Sequence, residues 1–126
     1  MNDLVKQWFE KAEGDYCTAL REFRARKQPN YDAVCFHAQQ CIEKYLKGVL
    51  QLHGLPFAKT HDLSVLLKAC VERYPLWAAN RDDMECLSQY AVLCRYPGEG
   101  SSREKAGLAV AAMKRARAEI REALCL

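Results

Sequence analysis

At 126 residues, half of them hydrophobic and 28% charged, with a net charge of +3, the chain fits a single globular domain spanning residues 1–126 and leaves no room for a second core. That balance excludes a disordered polyelectrolyte. The longest apolar run, Ala106 to Met113, is too short to cross a bilayer, so no membrane association is expected.

In chain order, Asp3 is placed to cap a first helix reaching about Arg26, with Leu4, Trp8, Ala12, Tyr16, Ala19 and Phe23 as its inner stripe. Gln28-Pro29-Asn30 breaks it. A second helix is predicted from about Tyr31 to His53, with Val34, Ile42, Leu46, Val49 and Leu50 inward, stopped by Gly54 and Pro56. Lys59-Thr60-His61-Asp62 leads into a short third helix carrying Leu63, Leu66, Leu67, Cys70 and Val71; Thr60 or Asp62 caps it and Pro75 ends it. Asn80 to Asp83 is a polar lead into a fourth, through Met84, Leu87, Tyr90, Ala91 and Cys94, which stops at Arg95-Tyr96-Pro97-Gly98. Gly98 to Ser102 reads as a flexible loop.

The last helix, about Ser102 to Leu124, turns Ala109, Ala112, Met113, Ala116, Ile120 and Leu124 inward, and its alanines allow another helix to approach closely. Here Arg103, Lys105, Lys114, Arg115, Arg117 and Arg121 outnumber Glu104, Glu119 and Glu122 by the whole net charge, so residues 1–102 balance. This basic end is either a solvated helix face or an attraction for a polyanion or an acidic partner. It lacks the interleaved aromatics of single-strand binders, which leaves RNA or duplex backbone contact as the alternative to a solvated face. No segment shows the alternation of a strand. The fold expected is all-α, an antiparallel up-and-down bundle of four longer helices plus a short one.

Seven cysteines, an odd number without CxxC spacing, do not make a disulfide framework. Cys17, Cys35, Cys41, Cys70, Cys86 and Cys94 sit beside apolar residues, where a thiol acts as a small hydrophobe. The polar start Met1 to Lys6 is no secretory segment, so a reduced, cytoplasmic protein is expected. Cys35, His37 and Cys41 point to different sides of a helix, so no metal is expected, and no motif calls for a cofactor.

The densest chemistry lies in His37-Ala-Gln-Gln40-Cys-Ile-Glu43-Lys44-Tyr-Leu-Lys47 and in Lys59-Thr-His61-Asp62-Leu63. His37, Gln40, Lys44 and Lys47 fall at spacings of three, four and three, one face of a helix, and a polar stripe in an apolar helix needs partners. These are either other side chains, a second subunit or a ligand.

Together with Asp15 and Arg95-Tyr96-Pro97, these pieces make the chain resemble the small prokaryotic HEPN-domain proteins (higher eukaryotes and prokaryotes nucleotide-binding) along nearly its whole length. The resemblance implies a helical bundle that often dimerises, in many cases encoded beside a minimal nucleotidyltransferase, with several such pairs behaving as toxin and antitoxin. It also implies that some members are metal-independent ribonucleases, marked by an Arg followed after four to six residues by a His. That signature is absent. The positions five to seven before His37, His53 and His61 hold Asp32, Tyr31, Asn30; Gly48, Lys47, Leu46; and Pro56, Leu55, Gly54. Arg95 is followed by Tyr-Pro-Gly-Glu-Gly-Ser-Ser. The tyrosine modified by partner nucleotidyltransferases in some toxins also lacks its surrounding motif, leaving Tyr96 only as a stand-in.

Each residue carries two readings. His37 is an acid–base or phosphate ligand, or a hydrogen-bonded structural histidine. Gln40 reads a base or ties helices together. Glu43 and Lys44, adjacent in sequence, need partners from elsewhere, Asp15 being a candidate for Lys44 or Lys47. Lys59, His61 and Asp62 stand at a helix start that favours an anion, although Asp62 is explained by capping alone. Arg95 suits a helix end or a phosphate. Three functions follow: a non-ribonuclease HEPN interaction domain, homodimeric and paired with a nucleotidyltransferase, holding a nucleotide near His37, Gln40, Lys44, Lys47, Lys59, His61 and Arg95; a divergent ribonuclease using Arg95 with His37 or His61; or a purely structural adaptor.

Overall fold

The computed structural model describes residues 1–93, 96–98 and 100–126. Four helices begin on a short polar side chain that accepts an otherwise unpaired backbone N–H. Asn2 accepts from Val5 ahead of α1 (Asp3–Phe23), and Asn30 from Ala33 ahead of α2 (Tyr31–Leu52). Asp62 accepts from Ser64 ahead of α3 (Leu63–Val71), and Ser102 from Lys105 ahead of α5 (Arg103–Ala123). Asn2, not Asp3, therefore caps the first helix; Asp3 is its first residue, where its charge suits the dipole. Gly54 takes φ +63° after α2, the left-handed turn that ends a helix without Cβ strain.

Pro75 does more than stop α3. It opens a 3-10 helix, Pro75–Asn80, and α4 (Arg81–Leu93) follows directly, so the expected polar lead is itself helical. Proline's fixed φ and missing donor suit that first position. Among the described residues there is no strand, and the chain is an all-helical bundle, as its periodicity predicts.

The central element is α2, which packs against α1, α3, α4 and α5. Val34, Ile42, Tyr45, Leu46 and Leu50 are fully enclosed on it. Of the expected α1 stripe Ala12 and Ala19 are buried, but Val5, Phe9 and Asp15 face inward in place of their neighbours: Leu4 is half exposed and Trp8, Tyr16 and Phe23 are only partly covered. The register follows Gly48, where an added Cβ would stand 2.5 Å from the Phe9 ring; that bare backbone is what admits Phe9. The alanines of α5 work as expected, with Ala109, Ala112 and Ala116 buried where α5 meets its neighbours. Cys35, Cys41 and Cys70 are buried, whereas Cys17 is exposed and Cys86 half-buried, so the small-hydrophobe reading fails for Cys17. Cys94 lies outside the described residues. No helix among the described residues is long and apolar enough to cross a membrane.

Candidate functional site

Helical spacing brings His37, Gln40, Lys44 and Lys47 to one side of α2, and two buried carboxylates divide them. Asp15 of α1 has a side chain only 10% exposed; it faces His37 Nδ1 at 2.8 Å through Oδ1 and accepts from Lys44 Nζ through Oδ2. Glu43, 5% exposed, accepts from Lys47 Nζ at 3.2 Å through Oε2. Its Oε1 faces His61 Nδ1 at 2.8 Å and accepts from the Gln39 amide at 3.1 Å. Burial pushes the Glu43 carboxyl up, but hydrogen bonds from Gln39, His61 and Lys47 outweigh it and hold the group below the ordinary carboxylate range. An ionised Glu43 can only accept, so it fixes Nδ1 as the protonated nitrogen of His61.

Gln40 donates to Gln39 Oε1 at 2.8 Å and reaches Glu43 at 3.4 Å, which ties it to its own helix. Gln39 is the residue that sequence reasoning missed. It is 1% exposed and also donates to the His61 carbonyl at 2.8 Å, pinning the loop before α3 onto α2. Its signal was present: Cys35, Gln39, Ile42 and Leu46 follow spacings of four, three and four, which puts an amide in the apolar stripe. Asp62 caps α3, and among the described residues Lys59 makes no hydrogen bond or ion pair. Tyr96 is 62% exposed, and Arg95 lies outside the described residues. Among the described residues no group of three His, Cys, Asp or Glu side chains could hold a metal ion.

A second network joins α1, α2 and α5. Arg117 donates twice to Glu13, at 2.6 and 2.8 Å, and stacks 4.0 Å from the Tyr16 ring. Tyr45 donates to Glu13 and accepts from Arg121 at 3.1 Å. The Arg117 hydrogen bond overrides burial and lowers the Glu13 pKa; burial first and then Glu13 raise that of Tyr45. With Arg115 held by Asp83, three of the six cations in the basic segment are paired within the chain, two of them sharing Glu13. Arg103, Lys105 and Lys114 are exposed.

The site thus offers a half-buried imidazole, an exposed one, two ammoniums and two carboxylates, all mutually engaged. A search of curated proteins returned no match. Among solved structures, TT1696 from Thermus thermophilus is 22% identical, with a TM-score of 0.83 over 96% of this chain and 98% of its own. ST0689, described as an archaeal HEPN homologue, is 24% identical, with a TM-score of 0.75 over 94% of this chain and 95% of its own. At such identities the likeness is one of fold. The family model of the HEPN domain matches residues 5–123, nearly the whole chain. The bundle and its α2 network therefore belong to a member of the HEPN domain family.

Proposed function

We propose that this chain is a HEPN-type binding and interaction domain, not a ribonuclease, which forms a homodimer and partners a minimal nucleotidyltransferase in a toxin–antitoxin-like pair in the cytoplasm. The observation that carries this reading is the pairing of the candidate stripe. His37 and Lys44 are taken by Asp15, and Lys47 and His61 by Glu43. Side chains engaged in this way hold α1, α2 and the loop before α3 in fixed relation, which suits a rigid surface for a protein partner. The ribonuclease members of the family are marked by an arginine set four to six residues before a histidine, and that spacing is missing from the sequence.

A nucleotide phosphate is the second chemistry this surface admits. His37, Lys44 and Lys47 share one side of α2 with side chains 29%, 23% and 12% exposed, so an incoming phosphate would compete with Asp15 and Glu43 for them. The test is affinity capture of the protein from its own cells at native abundance, with bound proteins identified by mass spectrometry. Stoichiometric recovery of a nucleotidyltransferase supports the pairing; recovery of this chain alone overturns it. Titration of the purified protein with nucleoside triphosphates into the millimolar range decides the second point, since absence of saturable binding removes the nucleotide.

A further inference from the structure

The start of α3 sits against α4 through Leu63 N–H, which donates to Ser88 Oγ at 3.1 Å. Around this junction opens a cleft of about 840 Å³, which Gln39 and His61 also line. Glu85, Ser88, Gln89 and Val92 border it at spacings of three, one and three, which is one face of α4, and the buried Ala91 lines it too. From Glu85 to Val92 that face runs about 10 Å at 1.5 Å per residue, room for roughly three residues of extended chain.

The lining of the cleft is both acidic and apolar. Asp62 and Glu85 both line it and both are exposed; among the described lining residues there is no lysine or arginine, and the His61 Nδ1 is already held by Glu43. Glu85 makes no hydrogen bond or ion pair among the described residues. Val92, 55% exposed, and Leu93 supply the apolar part. Two carboxylates repel a phosphate and complement a lysine or arginine, and Val92 with Leu93 complements an aliphatic neighbour.

We infer that this cleft takes a short basic segment of a partner protein, its cationic side chains pairing with Asp62 and Glu85 and its apolar ones covering Val92 and Leu93. This rests on the reading of the chain as an interaction domain and adds the chemistry of what it grips. Asparagine caps a helix as well as aspartate does, and Glu85 is exposed, so Asp62→Asn with Glu85→Gln removes the charge without disturbing the fold.

The probe is a labelled, end-capped hexapeptide of alternating lysine and leucine, followed by fluorescence anisotropy on the purified chain, with a glutamate–leucine peptide as control. Saturable binding of the basic peptide alone, weakened by salt and about tenfold by the double substitution, is the expected result. Equal binding by both proteins, equal binding of both peptides, or no saturable binding overturns the inference. So does a double variant that binds no peptide differently but changes a dimer into a monomer, which would assign the cleft to a second copy. Because the peptide is tested on the chain alone, its binding stands even if no nucleotidyltransferase is captured. A nucleotidyltransferase captured equally by both proteins, without peptide binding, sinks the cleft and leaves the broader reading intact.

Discussion

Glu43 and His61 form one hydrogen bond with unequal stakes. Glu43 is enclosed and binds three other side chains, whereas the His61 ring is 69% exposed. Removing the buried carboxylate strands the Lys47 ammonium and takes one of two acceptors from the Gln39 amide, a loss on the order of 3–5 kcal/mol. Removing the imidazole costs only the worth of an exposed pair, below about 1 kcal/mol. Urea denaturation of Glu43→Ala and His61→Ala is expected to reproduce that order; equal losses would contradict it. Tyr45→Phe is the matching probe of the second network. Glu13 keeps both bonds to Arg117, so the substitution is expected to cost about 1–2 kcal/mol and not to unfold the protein. The polar stripe was legible because His37, Gln40, Lys44 and Lys47 lie on one side of a helix whatever surrounds it. Asp15 could be named as a candidate for Lys44 or Lys47, but the rest of the division, with His37 on Asp15 and with Lys47 and His61 on Glu43, could not, because it depends on where α1 and the loop before α3 come to rest.

Between elements, the α1–α2 crossing turns on Gly48, whereas Gly14 of α1 stands clear of it. A Cβ on Gly48 would meet Phe9 Cε1 at 2.5 Å and Trp8 Cβ at 3.0 Å. Phe9 cannot yield freely, since its ring is stacked 5.5 Å from that of the enclosed Tyr45. Gly48→Ala is expected to destabilise by about 1–3 kcal/mol through overpacking. Gly14 lies within α1 with nothing inside 4 Å of its added Cβ, so Gly14→Ala is expected to stabilise by about 0.5–1 kcal/mol. Thermal melts of the two variants should move in opposite directions; a shift of the same sign in both would refute the packing argument. This crossing also explains the limit of helical periodicity. Leu4-Val5 and Trp8-Phe9 are adjacent apolar pairs, so α1 carries two stripes of equal apparent merit. Only the gap at Gly48 selects Val5 and Phe9, and that gap belongs to α2. By contrast, the caps Asn30, Asp62 and Ser102 act on their own helices, and they mark the helix starts in the sequence itself.

For the whole molecule, the two lowered carboxylates set the acid limit of the fold. Glu13 joins α1, α2 and α5, and Glu43 joins α2 to the loop before α3, so their partners reach most of the bundle. Both have folded pKa values below the ordinary 4.5: Glu13 chiefly through Arg117, and Glu43 because the bonds from Gln39, His61 and Lys47 exceed the opposing effect of burial. A carboxylate with a depressed folded pKa binds its proton more readily when unfolded. Its stabilisation is complete above the unfolded value and is lost as the pH falls through the folded one. Unfolding free energy should therefore show no contribution from these two groups to its slope near neutral pH and then decline below about pH 4.5. Glu13→Gln and Glu43→Gln should each be less stable at neutral pH yet decline less steeply in acid, because each has already lost one of the protons that drive the transition. Denaturant titrations between neutral pH and the acid transition measure both quantities. Slopes unchanged by either substitution would show that the bundle comes apart in acid through other groups. The pairing of the α2 network with neighbouring helices would then be dispensable to its cohesion.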